Sequence, residues 1–297
     1  MPAPTVVPGE FFIPVEDAYE ETMDLASLCS GRSRSLGMHS PTAASVTLEI
    51  PPFTLTIQQS PTLLNAKLAS GTTGAVLWNL TPRFARWLVS SPHARALIPE
   101  TAKVLELGCG ATSVLAATLG RTVAGYVQSD MGYTLKLAEG NLEENLKENG
   151  TGANSRKKGG KWKKGPGGSS SSSQPGINRG EGIKSIVLDW QEDEVASHPE
   201  IKKLAGEDGL TAVIACDCVY NEVLVPPFLD TVEAAARLGE GKAIVMVATE
   251  IRSPDVQEVF LEGFMKRFEV YRVNDRYLGD EMKVEDGIVI HVGVLRD

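Results

Sequence analysis

From residue 103 onward, short apolar runs alternate with longer amphipathic ones, and few folds accommodate that alternation. The apolar runs at 103–107, 122–129, 183–188, 212–216 and 242–249 have the length and aliphatic content of strands buried on both faces. Stretches with helical spacing lie between them, at 112–119, 133–149, 225–238 and 253–267, with another ahead at 81–90. Within 253–267, Val256, Val259, Phe260 and Phe264 form a stripe that predicts contact with a sheet. Strands separated by helices predict a parallel sheet covered on both faces. The last two runs, 268–273 and 288–294, are joined by a polar stretch with no helical pattern, so they read as a hairpin. The expected fold is α/β: a Rossmann-like, seven-stranded, mostly parallel sheet with one antiparallel strand.

The rest of the chain is less regular. Residues 1–44 are rich in proline, serine and small side chains and are expected to form a flexible arm, tacked to the body by Phe11-Phe12-Ile13-Pro14-Val15. Runs 45–50 and 53–58, broken by Pro51-Pro52, predict a short N-terminal β-hairpin extension. Residues 150–182 are Gly/Ser/Lys-rich and almost free of apolar groups, so burial cannot offset their ordering entropy. They are expected to be a disordered basic insertion. A solvated loop is one role for it; a tether for RNA or an acidic surface, with Trp162 available to stack, is another.

Charge, cysteines and apolar runs exclude several classes. Residues 151–180 hold seven basic side chains and no acidic one; taking those seven from a net charge of −9 leaves −16 on the remainder. An acidic body suits a basic partner better than nucleic acid, although solubility alone would also account for it. No run approaches the ~18 apolar residues of a membrane span, and no basic-then-apolar leader opens the chain. Cys29, Cys109, Cys216 and Cys218 form no C-x-x-C pair, and their spacing fits neither zinc nor a disulfide framework. Reduced cysteines imply a cytoplasmic location. His39, His93, His198 and His291 are scattered, so neither a histidine base nor a metal is expected.

The run Val104-Leu105-Glu106-Leu107-Gly108-Cys109-Gly110 carries the first chemistry. An apolar strand enters a glycine turn, where the backbone can bend sharply and approach a ligand, and a helix near Thr112 offers unpaired N–H groups. A dinucleotide site wants G-x-G-x-x-G, but the third position is Ser113. Glu106 would repel a pyrophosphate and suits a ligand ammonium group better. Asp130, twenty residues after Gly110 at the end of the next strand run, can accept hydrogen bonds from both hydroxyls of a ribose. S-adenosylmethionine carries an ammonium group, a sulfonium and a ribose. Asp217 ends the apolar run Ala212-Val213-Ile214-Ala215-Cys216 and should face the same crevice.

With these residues in place, the chain resembles the seven-strand S-adenosylmethionine methyltransferases (class I), and within them the protein-lysine group called family 16. The resemblance spans about 70–295, excluding the insertion, and implies a methyltransferase domain over 45–297. Its motifs are Gly74-Ala75-Val76-Leu77-Trp78, Leu188-Asp189-Trp190, Asp217-Cys218-Val219-Tyr220 and Thr249-Glu250-Ile251-Arg252. Tyr126-Val127-Gln128-Ser129-Asp130, Asn221-Glu222 and Pro227, Phe228 and Leu229 point to the fungal branch that methylates ribosomal proteins. The resemblance implies that Trp78, Glu106, Gly108, Gly110, Asp130, Asp189, Trp190 and Cys216 bind S-adenosyl-L-methionine. It implies catalytic roles for Asp217 and Tyr220 and a large-subunit ribosomal protein as substrate. The chain itself is expected to be a monomer without membrane or direct nucleic-acid contact outside the insertion.

On that expectation a neutral lysine amine displaces the methyl group in line. Asp217 orients the amine, Tyr220 walls the cation, and water takes the proton. Other readings remain for single residues. Asp217 could cap the next turn, Tyr220 could pack at a rim, and Trp78 and Trp190 could be core. A relative acting on an AAA-type ATPase shares the same core. A small-molecule acceptor, or a non-catalytic cofactor-binding module, would also fit the fold.

Overall fold

The computed structural model describes residues 9–29, 37–64, 73–148, 182–239 and 243–296. The insertion at 150–182, apart from Gly182, lies outside the described residues, as do 1–8 and 30–36 of the arm. The described elements begin with β1 (Phe12–Pro14), α1 (Ala18–Leu28), the hairpin β2 (Ser45–Ile50) and β3 (Phe53–Gln58), α2 (Pro61–Leu64), α3 (Leu80–Ser90) and α4 (Pro92–Leu97). Alternation then sets in: β4 (Lys103–Leu107), α5 (Val114–Thr118), β5 (Gly125–Asp130), α6 (Gly132–Glu148), β6 (Ile183–Val187), α7 (Pro199–Ala205), β7 (Ala212–Cys216), α8 (Val225–Ala236), β8 (Ile244–Glu250) and α9 (Pro254–Arg267). The chain closes with β9 (Phe268–Val273) and β10 (Ile288–Leu295).

The main sheet has eight strands in the order β1-β9-β10-β8-β7-β4-β5-β6. Strands β8, β7, β4, β5 and β6 are parallel. β10 runs antiparallel between β8 and β9, as expected of the final hairpin. The eighth strand was not anticipated: Phe12–Pro14 pairs antiparallel with β9 through Phe12↔Val273, so two strands oppose the main direction. The same region corrects the expectation of a loose arm, because α1 follows at once and Asp17 caps it by accepting a hydrogen bond from the Glu20 amide at 2.9 Å.

Side-chain alternation along the strands splits the core into two layers. Val104, Ala212, Ile214, Cys216, Ile244, Met246 and Ala248 face α3, α5 and the β2–β3 hairpin. Leu105, Leu107, Val213, Ala215, Val245 and Val247 face α7, α8 and α9. Both faces being covered, β7 and β8 are buried throughout. The stripe of α9 differs from expectation. Gln257, Phe260, Leu261 and Phe264 are the buried positions, whereas Val259 is exposed. The strand expected at 122–129 starts only at Gly125; a 3-10 turn at Leu119–Arg121 and bends at 122–124 precede it. Among the described residues no helix is long and apolar enough to cross a membrane.

Candidate active site

Strand β4 pairs in parallel with β5 on one side and β7 on the other. The chain winds outward from β4 through β5 to β6, then returns to β7 and winds the other way to β8. At such a reversal the connections part, leaving a crevice beyond the carboxyl ends of the strands. A cavity of about 370 Å³ occupies that position. It is lined from β4 by Gly108 and Gly110, from β5 by Asp130, from β6 by Asp189 and Trp190, from β7 by Cys216, Asp217 and Tyr220, and from the segment ahead of α3 by Trp78.

The glycine turn is shaped by close approach. Gly108 has φ +70°, and a Cβ there would lie 2.5 Å from Cys218 Sγ and 3.4 Å from the Trp190 ring. Gly110 has φ +61°, with the Gly74 carbonyl 3.3 Å from where a Cβ would stand. Amides of Gly108 and Cys109 both donate to the Ser129 carbonyl, at 2.9 and 3.0 Å, tying the turn to β5. The following helix is shorter than expected: it begins at Val114, after Ser113 in left-handed conformation (φ 51°).

The two acids of this region are placed differently. Asp130 borders the cavity. Its Oδ2 accepts from the Gly110 amide at 2.7 Å, and Oδ1 accepts from the Met131 amide and the Thr134 hydroxyl, each at 2.7 Å. Burial raises its carboxyl above the usual range despite these donors. One acceptor position remains, on Oδ2, so the carboxylate has room for one ribose hydroxyl rather than both. Glu106 corrects the expectation more strongly: it does not line the cavity. Its position on β4 turns it to the α3 side of the sheet, where it is 2 % exposed and accepts from the Tyr126 hydroxyl at 2.7 Å. Burial pushes its pKa up to about 8, so it is not an anion poised for a ligand ammonium group.

Aromatic groups form much of the wall. The Trp78 indole N–H donates to the Thr73 carbonyl at 3.0 Å. Trp190 packs on Phe228 with ring centroids 5.0 Å apart. Asp189 accepts from the Gln191 amide at 2.9 Å, a local turn that holds the residue beside the cavity. Tyr133, which the sequence motifs did not single out, also lines it, and burial together with Asp130 pushes its hydroxyl to about 12. The thiols of Cys109, Cys216 and Cys218 are all raised well above the usual value by burial, so none is a ready nucleophile.

Asp217 and Tyr220 sit at opposite depths. Tyr220 stands at the mouth, 47 % exposed, with Thr73 Oγ1 donating to its hydroxyl at 3.4 Å. The Asp217 side chain is 2 % exposed, and both of its oxygens are taken by Arg252 in a fork at 2.6 and 2.7 Å. It does not cap the next turn; Asn221 does, by accepting from the Val223 amide at 3.1 Å. Asp217 has φ +60°, a conformation that costs a non-glycine residue roughly 1–3 kcal/mol and persists only when its surroundings hold it. The fork was not legible in the sequence, since 35 residues separate the partners. Among the described residues no cluster of His, Cys, Asp and Glu is arranged to hold a metal ion.

The strand order, the antiparallel β10 and the glycine turn at the reversal define the Rossmann-like architecture expected of a class I methyltransferase. The chain is similar to proteins named ribosomal lysine N-methyltransferase 5. The one from Zygosaccharomyces rouxii is 28 % identical, with 84 % of this chain and 88 % of that protein covered. The one from Eremothecium gossypii is 29 % identical, covering 82 % and 86 %. Among solved structures, a TehB-like SAM-dependent methyltransferase from Corynebacterium glutamicum is 12 % identical, with 72 % of this chain and 88 % of that chain covered at a TM-score of 0.40. That likeness is distant, and the fold assignment rests on strand order and register. No protein-family model matches the chain.

Proposed function

We propose that this chain is an S-adenosylmethionine-dependent protein-lysine N-methyltransferase of the cytoplasm, acting on a large-subunit ribosomal protein. The observation that carries the reading is one cavity at the strand reversal that gathers the glycine turn, Asp130, Trp190 and Tyr220. Similarity over more than four-fifths of the chain to ribosomal lysine N-methyltransferases supports the choice of acceptor.

The residues present fit the cofactor. The side-chain-free cradle at Gly108 and Gly110 suits close backbone approach, and the remaining acceptor position on Asp130 suits a ribose hydroxyl. We assign Asp189 and Trp190 to the adenine end, and Trp78 and Cys216 to the opposite wall. Glu106, which lies outside the cavity and is held by the Tyr126 hydroxyl, is assigned no contact with the cofactor. When bound, S-adenosylmethionine supplies a methyl group on a sulfonium that a neutral amine can displace. The protein's part is to orient the amine and receive it against an aromatic wall; no covalent intermediate is required. Tyr220 supplies that wall, worth roughly 0.5–2 kcal/mol for a cationic methylammonium. The mouth there is open, with Tyr220 47 % exposed, which favours a side chain presented by a protein over an enclosed small molecule.

The test incubates purified protein with labelled S-adenosylmethionine and a ribosome extract, followed by mass spectrometry of the labelled band. N-methyl-lysine in a large-subunit protein is the expected result. No labelling, together with no cofactor binding by calorimetry, overturns the reading. Asp130→Ala should weaken cofactor binding about ten-fold or more, as loss of a charge-assisted hydrogen bond predicts. Tyr220→Ala should chiefly lower kcat.

A further inference from the structure

Three chain segments meet at Arg252. Its guanidinium forks onto both oxygens of Asp217, at 2.6 and 2.7 Å, just past the end of β7. It also reaches the Glu250 carboxylate at 3.0 Å and the Glu250 carbonyl at 3.3 Å, at the end of β8. Its Cζ lies 4.8 Å from the centre of the Trp78 ring, over the wall assigned to the cofactor. Gly37 closes the cluster from outside: a Cβ there would lie 2.4 Å from Arg252 and 2.6 Å from Glu250. The segment around Gly37 is itself tied to Trp78 and its neighbours, through the Met38–Trp78 bridge and the Asn79 amide donating to the Gly37 carbonyl at 2.7 Å.

This arrangement leaves Asp217 a single acceptor position, on Oδ2, and almost no exposed surface from which to meet an incoming amine. Its oxygens are directed at the guanidinium, the Glu250 amide approaches Oδ1 at 3.3 Å, and only 2 % of the side chain is exposed. What the fork does hold is the left-handed turn at Asp217, from which Cys218, Val219 and Tyr220 continue towards the mouth. The other side of the same guanidinium supports Trp78. The acceptor loop and the cofactor wall therefore share one prop.

We infer that Arg252 is a positioning residue, and that Asp217 works by holding Arg252 and the turn to Tyr220 rather than by touching the amine. The inference rests on the methyltransferase function proposed above. In this arrangement the charge of Asp217 is spent inside the protein, the amine loses its proton to water, and the geometry of Tyr220 is linked to the wall at Trp78.

A double-mutant cycle on the full chain tests this, with Asp217→Asn, Arg252→Lys and the two combined. All three are near in size to the native side chains, and each is checked for a cooperative melting transition. Affinity for S-adenosylmethionine is measured by calorimetry, and kcat and KM by transfer to large-subunit ribosomal proteins across the neutral and alkaline range. Each single substitution should lower kcat roughly ten- to a hundred-fold and weaken cofactor binding roughly two- to five-fold, with the combination close to the worse single. The acid limb of the kcat/KM profile should stay in place in Asp217→Asn. A mild Arg252→Lys beside a severe Asp217→Asn, additive effects, or a moved acid limb would overturn the inference and return Asp217 to contact with the amine. If the wild-type protein binds cofactor but methylates no lysine, the proposed function falls alone, and coupling or additivity in cofactor affinity decides the role of Arg252. If it binds no cofactor, both fall.

Discussion

Glu106 shows how far burial can change the work of one side chain. The ordinary glutamate value of 4.5 applies to the unfolded chain, whereas burial lifts it to about 8 in the fold. Between those values the folded protein keeps a proton that the unfolded chain has released. The stabilisation from this residue is therefore complete below about 4.5 and lost as pH rises through about 8. The difference is on the order of a few kcal/mol. Thermal melting across this range should show stability falling with pH in the wild type and a flatter profile in Glu106→Gln. Glycines give a second contrast. Gly108→Ala places a Cβ 2.5 Å from Cys218 Sγ at φ +70° and should cost more than about 1 kcal/mol as well as cofactor affinity. Gly140, on α6 with nothing within 4 Å, should gain roughly 0.5–1 kcal/mol on substitution by alanine, read by the same melts. Of the ten site residues expected from sequence, nine border the cavity and Glu106 does not. A motif marks which residues gather near a strand end, but the face on which one of them lies depends on strand alternation and on partners such as Tyr126.

At the scale of elements, the hairpin and α6 are joined by an unusual seam. Asn141 and Asn145, one helical turn apart, each meet β3 as a strand would. Asn145 accepts from the Thr56 amide at 2.8 Å and donates to the Thr56 carbonyl at 2.9 Å; Asn141 does the same with Gln58 at 2.7 and 2.9 Å. Asn141 also donates to the Ala111 carbonyl at 2.7 Å, linking the seam to the glycine turn. Asn141→Ala should cost roughly 1–3 kcal/mol in chemical denaturation, because it strands buried backbone groups. The parallel strands were legible because burial on both faces leaves unbroken apolar runs. Helix α1 was not. Its buried positions are Ala18, Glu21, Thr22 and Leu25, whereas Tyr19 and Met23 are exposed, so its inward face carries no apolar stripe. Glu21 is sheltered there by His291 at 3.1 Å and Arg272 at 3.5 Å, contacts that no local pattern reveals.

For the whole molecule, charge is unevenly shared. Outside residues 151–180 the formal charge is −16, the net −9 less the seven positive charges of that segment. Such a field raises the encounter rate with a basic partner and is screened by salt. Raising ionic strength from about 0.05 to 0.5 M should increase KM for a ribosomal protein several-fold and leave KM for S-adenosylmethionine nearly unchanged. An unchanged protein KM would show that the acidic surface serves solubility alone.

The sheet also has a temporal side. Its outer strand β1 precedes its partner β9 by most of the chain, with Phe12 meeting Val273. During synthesis the earliest of the described strands must therefore wait, unpaired, until nearly all the others have emerged. Contacts of such long separation form late, since the loop between them must first be closed. The β1 segment therefore lacks its place in the sheet until both β9 and β10 have emerged, since β9 joins the other strands only through β10.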